Sequence, residues 1–216
     1  MNQTLPIILG ITGASGAVYA LRLVDVLLAA GREVHLVVSP SGAAVLKQEL
    51  GLEFDPQSPK AEVLLTHQSP LLPHRSSPPT SDLQPPASLH LHHHQDFLAP
   101  IASGSFLTAG MVVCPCSGTT LSAIAHGSAS NLIQRAAEVQ LKERRKLVLV
   151  PRETPVSLTH IDNMRSATQA GAVVLPAAPG WYHGVESLSD LVDFVVARIC
   201  DQLGVENTII KRWGEE

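Results

Sequence analysis

The sequence is poor in cysteine, in charge and in aromatic rings, and each shortage narrows what the chain can be. Three cysteines among 216 residues form no disulfide framework and point to a reducing compartment. Only 16% of the residues are charged, with 15 Lys and Arg against 19 Asp and Glu. No basic run stands out, so nucleic acid is not an expected partner. No apolar run approaches the roughly 20 residues a membrane helix needs. The apolar stretch from Leu5 to Ile11 has no Lys or Arg before it, unlike a secretory signal, and the expected location is the cytoplasm. There is no Gly-Lys-Ser/Thr triplet and no G-x-G-x-x-G spacing, so neither a P-loop nor a dinucleotide fingerprint is present.

What is there is apolar. Hydrophobic residues make up 45% of the chain, enough for one substantial core, and the low charge suggests that other subunits cover part of the surface. Leu5 to Ile11 reads as a buried strand, continuous rather than alternating. Tyr19, Leu23, Val26 and Leu27 then recur at helical spacing up to Gly31. Glu33 to Val38 is a second strand, followed by a helix ending near Gly51. Further strands are expected at 89–92, 111–114, 147–150 and 172–175, and helices over 131–145, 156–170 and 188–203. Strand and helix alternate as in a doubly wound parallel sheet, an α/β fold. Between Asp55 and Ala87 lie eight of the sixteen prolines, a composition of loose or extended loop. It reads as an excursion, about 52–94, inside a single domain spanning 1–216.

Ligands of such sheets bind at the carboxyl ends of the strands. Here those ends are rich in glycine and hydroxyls: Thr12 to Gly16, Ser39 to Gly42 and Ser117 to Thr120. Helix-start N–H groups with hydroxyls can hold a phosphate monoester without a lysine, and a mononucleotide is the economical ligand. The scarce basic residues are the other candidates. Arg135 and Lys142 lie two turns apart on one helix face, either solvated or facing a ligand. Arg152 and Glu153 follow a strand directly. Arg198 sits in the apolar run from Val195 to Cys200, either pairing with Asp201 or Glu206 or facing a ligand. The loop Pro176 to His183 either packs or presents the Tyr182 hydroxyl. His90, His92, His93 and His94 cluster, but neighbouring residues of a strand point to opposite faces, and no carboxylate or cysteine motif accompanies them. No metal is expected.

Several stretches together resemble one family. They are Thr-Gly-Ala-Ser-Gly at 12–16, Cys-Pro-Cys-Ser at 114–117, Asn-Leu-Ile-Gln-Arg-Ala-Ala at 131–137 and Leu-Lys-Glu-Arg-Arg at 141–145. Leu-Val-Pro-Arg-Glu at 149–153, Leu-Pro-Ala-Ala-Pro-Gly-Trp-Tyr-His at 175–183 and Asp-Leu-Val-Asp-Phe-Val-Val-Ala-Arg at 190–198 complete the set. The chain resembles the flavin prenyltransferases of the UbiX type over nearly its whole length, except about 52–87.

The resemblance implies a flavodoxin-like or Rossmann-like three-layer α/β/α fold, assembled as a homo-oligomer, usually a dodecamer. It implies transfer of the dimethylallyl group of dimethylallyl phosphate to N5 and C6 of reduced FMN, without a metal. The prenylated FMN then serves a decarboxylase partner of the UbiD type, in ubiquinone biosynthesis or aromatic acid decarboxylation. Carried over by motif, Gly13, Ala14, Ser15, Ser39, Ser117, Gly118, Thr119, Thr120 and Arg152 hold FMN. Arg135, Lys142, Tyr182 and Arg198 bind the donor phosphate, partly across a subunit interface. Ser15 and Glu153 handle protons, with Lys142 and the ring of Phe97 also at the chemistry. Two features depart from the family pattern: Phe97 stands where a tryptophan is usual, and Ser117-Gly118-Thr119-Thr120 permutes the usual Ser-Thr-Gly-Thr order.

Overall fold

Alternate residues of the first strand serve two different cores. In β1 (Ile7–Ile11), Ile7, Leu9 and Ile11 pack into one apolar cluster and Ile8 into another, all at most 1% exposed. A strand covered on both faces reads as an unbroken apolar run. The computed structural model, which describes residues 5–72 and 87–214, has six parallel strands, and the inner four are buried on both faces in this way. Besides β1, the strands are β2 (Glu33–Val38), β3 (Ser88–His92), β4 (Gly110–Cys116), β5 (Leu147–Pro151) and β6 (Val173–Val174). Their order is β3-β2-β1-β4-β5-β6.

Helices α1 (Ala17–Ala29), α2 (Pro40–Leu50), α3 (Ala61–Thr66) and α7 (Leu188–Leu203) bury their apolar faces on one side of the sheet. Helices α4 (Gly118–His126), α5 (Leu132–Lys142) and α6 (Leu158–Gln169) cover the other. The result is the three-layer α/β/α arrangement expected from the sequence. The strand order is the Rossmann one, and without edge strand β3 it becomes the flavodoxin order. Strand order reverses between β1 and β4, so the crevice opens at their carboxyl ends.

Two expectations change. The helix expected over 131–145 ends at Lys142, because Arg144 takes a left-handed backbone with φ 57°. That turn lets the Arg145 guanidinium donate to the carbonyls of Phe106, at 2.7 Å, and Gly104. The proline-rich excursion is also less loose than its composition suggests. It contains α3, and Leu52, Phe54, Leu64, Leu65 and Leu72 are all buried in the core. Residues 73–86 of the excursion, with five of its prolines, lie outside the described residues.

Candidate active site

The β1–α1 turn and the start of α2 meet too closely for side chains on their glycines. A Cβ on Gly13 would collide with Ser41, and one on Gly42 would stand 2.6 Å from the Ile11 carbonyl. Thr12 Oγ1 donates to the Pro115 carbonyl at 2.8 Å and accepts from Ser117 N–H at 2.8 Å, tying this turn to the loop after β4. Three helix starts then converge. Ser39 caps α2 by accepting from Gly42 N–H at 3.0 Å, Ser117 caps α4 through Thr120 N–H at 3.3 Å, and Asn131 caps α5 through Gln134 N–H at 3.1 Å. They surround a cavity of about 380 Å³ lined by Ser39, Ser41, Ser117, Thr119, Thr120 and Asn131, with His94 beside them. Helix N-termini carry partial positive charge and free N–H groups, so this cavity favours a phosphate monoester. His94 Nδ1 is out of solvent with no hydrogen-bond partner among the described residues, and burial, with His93 close by, holds its imidazole below the ordinary histidine value. With a proton on that nitrogen, His94 can donate to a phosphate oxygen in the cavity.

The N-terminus of α1 is different, because the protein fills it itself. Glu49, at the far end of α2, accepts from Gly16 N–H at 3.0 Å and Ala17 N–H at 2.9 Å. The sequence pointed to the Thr12–Gly16 turn as a phosphate cradle; its helix-start N–H groups are occupied by a carboxylate, and the phosphate-like geometry belongs to α2, α4 and α5. No local pattern marks Glu49, since only the packing of α2 on α1 brings it there.

A second cavity of about 880 Å³ shares Gly13, Ser117, Thr119, Ser130 and Gln134 with the first. Gly13, Ala14, Ser15, Gly118, Arg152 and Glu153 line it, so the flavin-binding set inferred from the sequence falls around one two-part crevice. Arg152 Nε donates to the Ser15 carbonyl at 3.4 Å. Glu153 Oε2 lies 3.8 Å from His160 Nε2, on the first turn of α6, where the Ser157 hydroxyl holds His160 Nδ1 at 2.7 Å. A Cβ on Gly118 would stand 2.8 Å from His160 Nε2, so Gly118 lets that imidazole reach the crevice. His160 and Ser130 escaped the sequence reading. Ser128-Ala129-Ser130-Asn131 is a fourth hydroxyl-rich helix start and could have been found, whereas His160 has no local signal. Burial pushes the Cys116 thiol up to about 12 and the Cys114 thiol higher, so neither supplies a thiolate nucleophile here.

Among the described residues, those that the resemblance assigns to the donor, and Phe97, share no cavity with one another or with the crevice. Phe97 is 45% exposed on the loop after β3. Arg135 Nε donates to the Ala102 carbonyl at 3.2 Å, with Glu138 at 3.5 Å. Lys142 pairs with Glu143 at the opposite end of α5 from the crevice. Tyr182 is 54% exposed, its ring edge-on to Phe194 and Trp213. Arg198 pairs with Asp201 at 2.7 Å, as one reading of the sequence allowed.

Asp201 also holds Arg212, at 2.9 Å, and chiefly through that hydrogen bond its carboxyl stays below the ordinary value of 3.8. A carboxylate depressed in the folded state adds stability that is present above the unfolded value and lost as pH falls through the folded one. Asp201→Asn is therefore expected to lower stability at neutral pH and to flatten the loss below pH 3.8, seen in urea unfolding across a pH series. An unchanged acid limb would remove Asp201 as its source.

A doubly wound sheet that turns three helix N-termini and a glycine-hydroxyl cradle onto one crevice defines the class of phosphate-holding nucleotide binders. Within it, the family model described as Flavoprotein matches residues 1–200. Flavin prenyltransferase UbiX of Alkalihalophilus pseudofirmus is 45% identical over 206 residues, covering 95% of this chain and 94% of that one. Two solved structures align over almost the whole chain. AnUbiX (PadA1), in complex with FMN and dimethylallyl pyrophosphate, has a TM-score of 0.80 at 36% identity, covering 99% of this chain and 100% of that one. The dodecameric FMN-dependent UbiX-like decarboxylase from Escherichia coli O157:H7 has a TM-score of 0.78 at 36% identity, covering 97% and 99%. The chain belongs to the flavin prenyltransferase UbiX family.

Proposed function

We propose that this chain transfers the dimethylallyl group of dimethylallyl phosphate to reduced FMN, as a homo-oligomer that supplies prenylated FMN to a UbiD-type decarboxylase. The observation that carries this reading is the crevice itself, whose three helix starts around Ser39, Ser117 and Asn131 suit the FMN phosphate. The adjoining, larger cavity has room for the ring system beside Ser15, Arg152 and Glu153. Bound there, reduced FMN accepts the dimethylallyl group at N5 and C6 while inorganic phosphate leaves.

The chain's own residues do the rest. Phosphate leaves readily only if its growing charge is met, and two guanidinium groups, an ammonium and a phenol from Arg135, Arg198, Lys142 and Tyr182 meet it without a metal. These groups lie apart in one subunit, which supports a site completed by other copies, a dodecamer by analogy with the Escherichia coli relative. Exposed Leu98, Leu158, Trp181 and Trp213 are apolar surface for such contacts. Glu153, with His160 near its carboxylate, takes and returns the proton displaced at the ring, and the Ser15 hydroxyl relays it. The π face of Phe97, brought in by a neighbour, steadies positive charge on the allyl carbon.

The test is anaerobic incubation of the purified protein with reduced FMN and dimethylallyl phosphate, then mass spectrometry of the extracted flavin. A mass gain of one dimethylallyl unit is the expected outcome. Bound but unmodified flavin, with the pyrophosphate donor also inert and an active family member working in parallel, would leave a flavin carrier instead.

A further inference from the structure

The edge of the sheet carries a second cluster, separate from the crevice. Parallel pairing sets Glu33 opposite Ser88 and His35 opposite His90, and residues two apart on a strand share a face. Glu33, His35, His90 and His92 therefore stand together on one face of β2 and β3. Glu33 Oε1 lies 3.1 Å from His35 Nε2 and 3.3 Å from His90 Nε2, and the three ligand atoms all lie within 4.8 Å of one another. The edge of a tetrahedron with the metal–nitrogen bond lengths of zinc is about 3.3 Å. The carboxylate missing from the histidine run is thus supplied by the neighbouring strand.

The cluster is also built to hold its shape. His35 is buried, with Phe106 edge-on at 5.0 Å. Its other nitrogen, Nδ1, is 2.8 Å from His92 Nε2, and the two rings stack. A proton on Nδ1, donated to His92, leaves the Nε2 lone pair directed at Glu33. That is how an outer imidazole fixes the tautomer of a metal-binding one. Two imidazoles aimed at one carboxylate oxygen otherwise need two protons between them, and one cation replaces both.

We propose that Glu33, His35 and His90 bind one divalent transition-metal ion of the zinc class per chain, with His92 positioning His35 and water completing the shell. Two imidazoles and a carboxylate suit zinc, cobalt or nickel rather than magnesium or calcium. None of the four residues lines the crevice, so the ion is a clip between β2 and edge strand β3, not a participant in prenyl transfer. Binding to the folded chain alone raises its stability by mass action.

Isothermal titration of the tag-free, FMN-loaded protein with zinc chloride, after treatment with EDTA and desalting, tests this. One equivalent per chain and a higher Tm with zinc are expected. Glu33→Gln and His90→Ala are each expected to weaken binding at least tenfold, and His92→Gln by about tenfold, while His93→Ala titrates like the parent. Bound FMN and the far-UV spectrum report that each variant is folded, and His90, at the exposed rim, is the safest to replace. Zinc uptake that is absent, or unchanged in folded Glu33→Gln and His90→Ala, overturns the proposal. Neither outcome depends on whether the chain transfers a prenyl group.

Discussion

Glu153→Gln is expected to keep FMN bound and to slow formation of the prenylated flavin by about 10²- to 10⁴-fold, the usual worth of a positioned acid–base group. The amide preserves the size of the side chain and its place beside His160, so the crevice keeps its shape and loses only a proton acceptor. In the proposed reading flavin is held by the helix starts at Ser39, Ser117 and Asn131 and by Arg152, which line the crevice, and none of these changes. The two readouts therefore separate: flavin retention by absorbance and turnover by mass spectrometry. Full turnover in the variant would remove Glu153 from the mechanism. Loss of flavin would make it a binding residue.

How far this site was legible in the sequence depends on distance along the chain. The span of α7 was readable from its amphipathic pattern, which stops where the structure places a Ser187–Asp190 capping box and a left-handed Gly204. The loops at Thr12–Gly16, Ser39–Gly42 and Ser117–Thr120 were readable because each directly follows an apolar strand, and doubly wound sheets gather such ends on one side. Glu49, which caps the start of α1, and His160, which lines the crevice, were not, because each is placed by packing one helix against an element remote in sequence. The helix α3 was hidden by the prolines around it. The metal-type cluster was half visible: the histidines of β3 are adjacent in sequence, but Glu33 and His35 join them only through strand pairing.

The geometry of α5 sets up the sharpest test of assembly. Its first residues border the phosphate cavity, where Asn131 sits, and it runs 11 residues away from it, about 16 Å at helical rise. Lys142 ends that run near the start of β4, where Met111 N–H bonds the Lys146 carbonyl. A lysine there cannot reach the crevice of its own subunit. If Lys142 holds the donor phosphate, it does so in the crevice of a neighbour, and each working site takes Glu153 and Lys142 from different copies. Lys142→Ala is then expected to raise the KM for dimethylallyl phosphate and to slow turnover about a hundredfold or more, with FMN binding unchanged. Co-assembling Lys142→Ala with Glu153→Gln chains in equal amounts should restore roughly a quarter of the parental rate, because that share of mixed sites draws both intact groups across a head-to-tail interface. Parental turnover by Lys142→Ala alone would take the lysine out of the site. No recovery on mixing, with mixed oligomers verified by native mass spectrometry, would mean that both groups act within one subunit, and the chain would have to rearrange around α5 to work.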